Sequence, residues 1–105
     1  MRTGNYISNS TLQEAKELLI KYLSYRFQTD RGNTVNLYPL KIVKFYGRED
    51  LKKAVILSYI NYFLKKLAEL GLAESEARTK NGRRRLVIVI HKKDIPKAIE
   101  VIKRL

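Results

Sequence analysis

A two-residue turn, Asn81-Gly82, constrains the fold of this chain more than any other feature of its sequence. Asn-Gly between extended segments is typical of a tight β-hairpin, because both turn residues must adopt positive φ. The flanking segments 72–80 and 83–90 alternate with a period of two and are predicted to be its strands. The turn fixes their register, which pairs Lys80 with Arg83, Thr79 with Arg84, Arg78 with Arg85, Ala77 with Leu86, Ser75 with Ile88 and Ala73 with Ile90. The last three pairs set small residues against large aliphatic ones, as expected for the side that faces the core.

The segment before residue 48 predicts a helix, a short strand and a second helix. Thr11 and Glu14 have capping-box spacing, so the first helix is expected to begin at Ser10 or Thr11 and to end near Gln28. The stripe that this helix is expected to bury is apolar except for its last residue and comprises Leu12, Ala15, Leu18, Leu19, Tyr22, Leu23 and Arg26. Residues 34–37 have strand propensity. The second helix is expected to start at Pro39, to stop near Gly47, and to carry Leu40, Val43 and Tyr46 on one side.

Two more helices are predicted on either side of the hairpin. The third runs from Arg48 to Leu70 and ends at Gly71. A break near Leu57 and Ser58 is the alternative, since Ser58 can cap a separate helix. The last helix opens at Asp94 and runs to the end of the chain. Its apolar stripe is Ile95, Ala98, Ile99, Ile102 and Leu105.

One α+β domain is expected, because 105 residues with 45% hydrophobic content support one core. Residues 1–9 are predicted to be a disordered arm and residues 10–92 the core. Residues 93–105 are the C-terminal helix, which serves packing or dimerisation.

The charge balance predicts a polyanionic partner. Lys and Arg number 22 against 10 Asp and Glu, a formal net charge of +12. Such an excess favours nucleic acid over an anionic membrane surface or an acidic protein. The chain has no cysteine and no apolar run long enough to span a bilayer. We therefore expect a cytoplasmic protein associated with the nucleoid, without a metal, cofactor or small-molecule substrate. The single Met, the absence of Cys and only two Gln beside many Lys, Ile and Tyr indicate a heat-adapted source.

The hairpin tip carries most of the functional signal. Its cations are Arg78, Lys80, Arg83, Arg84 and Arg85, with Asn81 at the turn. Like charges directly across a strand pair are destabilising, so an external anion would convert this cost into affinity. Arginine matches phosphate oxygens bidentately and also enters narrow minor grooves. The alternative is a solvated loop whose charges only prevent edge aggregation.

A second set of polar residues follows helical spacing opposite the predicted buried positions Ile60, Phe63, Leu64 and Leu67. These are Ser58, Asn61, Tyr62 and Lys65, with Lys66 beside them. Asn pairs bidentately with adenine, and Ser, Tyr and Lys reach base edges or phosphates. This chemistry suits a helix lying in the major groove, although an ordinary solvated helix face has the same spacing.

Weaker phosphate contacts are predicted from cations of the second helix and the start of the third, namely Lys41, Lys44, Arg48, Lys52 and Lys53. Tyr22, Phe27, Phe45 and Phe63 are assigned to the core, and the hairpin carries no aromatic residue, which disfavours single-strand binding by base stacking. No nucleophile and base are placed together, so no catalytic residue and no enzyme activity are predicted.

The order helix, strand, helix, helix, hairpin resembles the winged helix-turn-helix family of DNA-binding domains, in particular its small archaeal-type regulators. The local match is the run from Leu64 to Glu74, which looks like the end of a recognition helix entering the first wing strand. The basic turn and the aliphatic strand from Arg83 to Ile90 continue it. The resemblance implies that the third helix reads the major groove through Ser58, Asn61, Tyr62 and Lys65, and that the wing grips the backbone or minor groove. It also implies a homodimer through the first and last helices.

The sequence thus predicts a double-stranded DNA-binding transcription regulator. The first alternative is a non-specific chromatin or replication protein that binds DNA. The second is a protein-interaction adaptor or an RNA-binding module.

Overall fold

The chain folds as an α+β domain. The computed structural model describes residues 3–46 and 53–105, with the side chains of 11–45, 53–79 and 81–105. In this part of the chain there are four helices and three antiparallel strands. In chain order they are α1 (Thr3–Thr29), β1 (Thr34–Leu37), α2 (Pro39–Tyr46), α3 (Lys53–Glu69), β2 (Ala73–Lys80), β3 (Arg83–His91), a short 3-10 turn (Lys92–Asp94) and α4 (Ile95–Arg104).

The sheet has the order β1-β3-β2 and confirms the predicted hairpin. Every predicted pair from Lys80–Arg83 to Ala73–Ile90 is present in the register. Asn81 and Gly82 have φ of 53° and 76°, the conformation that an Asn-Gly turn requires. The short strand β1 lies on the other edge of β3, where Val35 faces Ile90 and Leu37 faces Ile88.

The core side of the hairpin is shorter than predicted. Ile88 and Ile90 are buried, but Leu86 is 51% exposed and its neighbours Ser75 and Ala77 are exposed as well. The hairpin therefore projects beyond the core from about Ile88 outward.

Helix α1 begins at Thr3, well before the predicted start at Ser10 or Thr11, so residues 3–9 are helical instead of a disordered arm. A capping box acts only where the backbone at its first residue is non-helical. Thr11 instead lies inside the helix and is 2% exposed. The spacing of Thr11 and Glu14 was therefore a misleading signal.

Helix α2 confirms its predicted start, its end and its buried Val43, whereas the predicted core position of Leu40 is wrong and the side chain of Tyr46 lies outside the described residues. Ile42 and Val43 are buried, whereas Leu40 is 57% exposed. Phe27 and Phe45, also predicted to be core residues, are exposed at the rim. Phe45 packs edge-on against Tyr22, with ring centroids 5.2 Å apart, so it covers the core instead of entering it.

Helix α3 is continuous from Lys53 to Glu69, which excludes the alternative break near Leu57 and Ser58. The predicted start at Arg48 lies outside the described residues. All four predicted buried positions are buried, and Ile56 extends them toward the N-terminus. The helix ends at Gly71, whose φ is 78°, with N–H groups of Gly71 and Leu72 donating to the carbonyls of Ala68 and Leu67.

Helix α4 packs against α1 and α3 within the same chain. Ile95, Ala98 and Ile102 of the predicted stripe are buried there, Ile99 is half-buried and Leu105 is exposed. Much of the apolar surface on which the predicted homodimer depends is thus covered within one chain, and the dimer stays a prediction.

A polar network joins the end of α1 to the sheet. Arg26 binds both carboxylate oxygens of Asp30 at 2.7 Å and donates to the Tyr22 hydroxyl at 2.8 Å and the Asn36 carbonyl at 3.3 Å. Arg26 was predicted to lie on the apolar stripe of α1, and this network accounts for a cation there.

Candidate nucleic-acid interface

The exposed side of α3 presents the predicted polar set as one surface. Ser58, Asn61, Tyr62 and Lys65 are all exposed, because Ile60, Phe63, Leu64 and Leu67 turn the opposite side to the core. Lys66 lies beside them and is only partly exposed, with contacts to two neighbouring side chains. Its ammonium is 3.5 Å from a carboxylate oxygen of Glu69 and 5.7 Å from the centroid of the Tyr62 ring.

Two residues of this surface were missed in the sequence. Ala54 and Val55 precede Ser58 by four and three positions, so they share its side of the helix, and both are exposed. Val55 is 45% exposed. The helical spacing that identified Ser58 and Asn61 also contains these two positions, but the search for hydrogen-bonding side chains passed over apolar residues.

A groove separates α3 from the inner face of the hairpin. Its volume is about 510 Å³, and its lining is Asn61, Leu64, Lys65, Ala68, Ser75, Leu86 and Ile88. The groove therefore brings two residues of the predicted recognition surface, Asn61 and Lys65, next to the hairpin. Side chains alternate along a strand, so Arg84 shares the inner face with Leu86 and extends the groove toward the hairpin tip.

The remaining hairpin arginines lie on the other face of the sheet. Arg78 pairs with Arg85 across the two strands. Arg85 is adjacent in sequence to Leu86, which lines the groove, so the Arg78 and Arg85 side chains point to the opposite face. Arg83 shares their face, and Asn81 lies exposed at the turn. The side chain of Lys80 lies outside the described residues. The predicted single cluster is thus divided between the two faces of the hairpin.

The electrostatics of the hairpin leave most of its positive charge uncompensated. Arg78 donates from Nε and Nη2 to a carboxylate oxygen of Glu76 at 3.3 and 3.2 Å, and this hydrogen bonding raises the Arg78 pKa. Within the described part of the chain, Arg83, Arg84 and Arg85 form no ion pair. An external anion therefore has guanidinium groups available to it.

The weaker predicted contacts are dispersed. Lys41 and Lys44 are exposed on α2, and the Lys41 ammonium lies 4.9 Å from the centroid of the Tyr38 ring. Lys53 is partly exposed at the start of α3. Arg48 and Lys52 lie outside the described residues.

The described residues, 3–46 and 53–105, bear on two other kinds of site, a metal centre and a membrane span. No group of three or more His, Asp or Glu side chains in these ranges is placed to hold a metal ion. None of the helices described is long and apolar enough to cross a bilayer. The sequence matches no protein-family model, no curated protein and no solved structure.

Proposed function

We propose that this protein is a transcription regulator that binds double-stranded DNA through a winged helix-turn-helix fold. In this proposal α3 is the recognition helix and the β2–β3 hairpin is the wing. The element order supports it, as does the pairing of β1, which lies between α1 and α2, with the second wing strand. The net charge of +12 supplies the attraction to phosphate.

The observation that carries the proposal is the groove shared by α3 and the wing. Asn61 and Lys65 line it on one side, the inner face of the hairpin lines the other, and none of the carboxylates in the described residues lines it. A negatively charged backbone can therefore approach without repulsion, and the helix side chains can reach base edges at the same time.

The exposed side of α3 has the chemistry that base reading requires. Asn61 can pair bidentately with adenine, and Lys65 can donate to the major-groove acceptors of guanine. The exposed Val55 offers an apolar contact for a thymine methyl group near the N-terminal end, which is the part of a recognition helix that usually reaches the bases.

A triple substitution tests the wing. Replacing Arg83, Arg84 and Arg85 with Ala removes up to three phosphate contacts. We expect the magnitude of the slope of log affinity against log salt for a duplex to fall by roughly 0.9 for each contact removed. Fluorescence anisotropy with labelled duplex at several salt concentrations measures both the slope and the affinity.

The matched control removes the same charge from α4, through Lys97→Ala, Lys103→Ala and Arg104→Ala. These residues are exposed and lie outside the proposed interface. The control should keep the wild-type slope. Equal loss in the two triple variants would mean that only net charge matters and would overturn the role given to the wing.

An adaptor function has one specific observation in its favour. The same groove has an apolar floor of Leu64, Ala68 and Ile88, and the exposed Leu86 stands at its edge. Exposed apolar surface rimmed by polar residues is typical of protein-binding sites. An adaptor would bind random-sequence duplex weakly and without salt dependence, which the anisotropy series also measures.

A further inference from the structure

A second concave site lies on the outer face of the hairpin. It has a volume of about 260 Å³ and is lined by Tyr38, Lys41, Arg78, Thr79 and Arg85. These residues come from three parts of the chain: the start of α2, strand β2 and strand β3. The sequence predicted Arg78 and Arg85 together as wing cations and Lys41 as a weaker phosphate contact, and it gave no role to Tyr38 or Thr79. We call these five residues the outer pocket.

The outer pocket faces away from the groove of the proposed DNA interface. Arg78 and Arg85 face each other across the hairpin, one position along from the pair Ala77 and Leu86. Neighbouring residues of a strand point to opposite faces of the sheet. Leu86 lines the groove beside α3, so Arg78 and Arg85 project from the opposite face.

The charge of the outer pocket is strongly positive. Arg78 and Arg85 are directly opposed like charges, which destabilises the strand pair unless an anion lies between them. Lys41 adds a third cation from α2. Glu76 binds Arg78 and offsets one charge, whereas Arg85 has no ion pair with another described residue.

The Tyr38 hydroxyl completes the set of donors. The Tyr38 ring lies 4.9 Å from the Lys41 ammonium, and its hydroxyl can donate to a ligand in the pocket. Thr79 also lines the pocket, but it pairs with Arg84, so its side chain points to the inner face of the sheet. Guanidinium forks, an ammonium and a tyrosine hydroxyl around one small volume match the tetrahedral oxygens of a phosphoryl group.

We propose that the outer pocket binds a phosphoryl group through Lys41, Arg78 and Arg85, with Tyr38 beside Lys41 as a further donor. The ligand is a phosphate ester, either a free phosphorylated compound or a backbone phosphate of a nucleic acid. The site lies on the opposite face of the sheet from the groove beside α3, and it shares Arg85 with the wing.

The test is an NMR titration of the full chain with inorganic phosphate at constant ionic strength, observing the side-chain signals of Arg and Tyr. The Arg85 Nε–H and Tyr38 ring signals should shift with a common saturation curve. In Arg85→Gln the phosphate affinity should fall about tenfold, the effect of losing a charge-assisted hydrogen bond. Arg104→Gln, which removes the same charge from the exposed end of α4, should keep the wild-type affinity.

The proposal requires chemical-shift changes that are confined to the residues of the outer pocket. Equal weakening in Arg85→Gln and Arg104→Gln, or shifts spread over all arginines without saturation, would overturn the site. Tyr38→Phe keeps the ring and removes the hydroxyl, so its phosphate affinity should fall by less than that of Arg85→Gln. Wild-type affinity in Arg85→Gln together with full loss in Tyr38→Phe would also contradict the proposal.

A second titration distinguishes the two sources of phosphate. If the pocket takes a free phosphorylated compound, phosphate should still shift Arg85 after the protein is saturated with duplex DNA. If it holds a backbone phosphate, duplex should occupy it, and Arg85→Gln should reduce the magnitude of the duplex salt slope by about 0.9. Failure of duplex binding would leave the phosphate titration unaffected, so the two proposals fail separately.

Discussion

The ion pair between Arg26 and Asp30 fixes the end of α1 to the sheet. Both side chains are 22% exposed, and the guanidinium holds both carboxylate oxygens at 2.7 Å while it also bonds Tyr22 and Asn36. This hydrogen bonding lowers the pKa of Asp30 below its ordinary value and raises the pKa of Arg26. Lys92 donates to the Asp30 carbonyl, so the same residue also anchors the segment before α4.

Replacing Asp30 with Asn should destabilise the fold by about 1 kcal/mol at neutral pH, the upper range for a bidentate, partly exposed pair. The folded-state pKa of Asp30 is lowered, so its stabilisation is present above the unfolded-state pKa of roughly 4 and is lost as the pH falls through the folded-state value. Urea unfolding of both proteins at neutral pH and in acid measures this difference, which should shrink in acid.

Glu100→Gln provides the control, because its pair with Lys103 is longer, 3.7 Å, and both side chains are more than half exposed. The change should alter stability by less than about 0.5 kcal/mol. A constant effect of Asp30→Asn at every pH would show that the carboxylate charge contributes nothing to stability.

At the scale of elements, the C-terminal end of α3 depends on one glycine. Gly71 has φ of 78°, and a Cβ atom built there would meet nothing within 4 Å. Gly71→Ala should therefore destabilise the protein by about 1 kcal/mol through backbone conformation alone. Gly32 lies outside the left-handed region and has room for a Cβ atom, so Gly32→Ala should not destabilise.

Thermal unfolding of the two variants measures the comparison. Equal losses in Gly71→Ala and Gly32→Ala would contradict the assignment of the left-handed conformation to the α3 end.

The elements predicted best from the sequence are those with strong local signals. The Asn81-Gly82 turn fixed a register that is correct at every pair, and Gly71 marked the end of α3 because both positions need positive φ. The buried positions of α3 followed from helical periodicity alone. Local backbone chemistry determines such features, so neighbouring residues suffice to predict them.

Tertiary packing decided the features that the sequence predicted poorly. Phe45 and Leu40 are large apolar residues of the type usually found in a core. However, α2 is short, and only the side that carries Ile42 and Val43 contacts the rest of the core. The exposure of Leu86 depends on how far the hairpin projects beyond α3, which no local pattern encodes. The division of the wing arginines was implicit in the predicted register, but charge alone suggested a single cluster.

At the scale of the whole molecule, the cations are arranged on more than one surface. In our proposal the groove between α3 and the inner face of the hairpin receives the duplex, and the outer pocket holds a separate phosphoryl group. The packing of α4 on α1 buries apolar residues that the predicted homodimer would otherwise use. The dimer would therefore have to form through the surface of α1 and α4 that remains exposed.

The most direct test of the account is the salt dependence of duplex binding by the wild-type protein. With about six phosphate contacts, the affinity for a random-sequence duplex should fall between roughly 50 and 200 mM salt with a log-log slope near −5. A single strand of the same length should bind more weakly, since the described part of the hairpin carries no aromatic side chain for base stacking. Absence of duplex binding at the lowest salt concentration would contradict the proposed function.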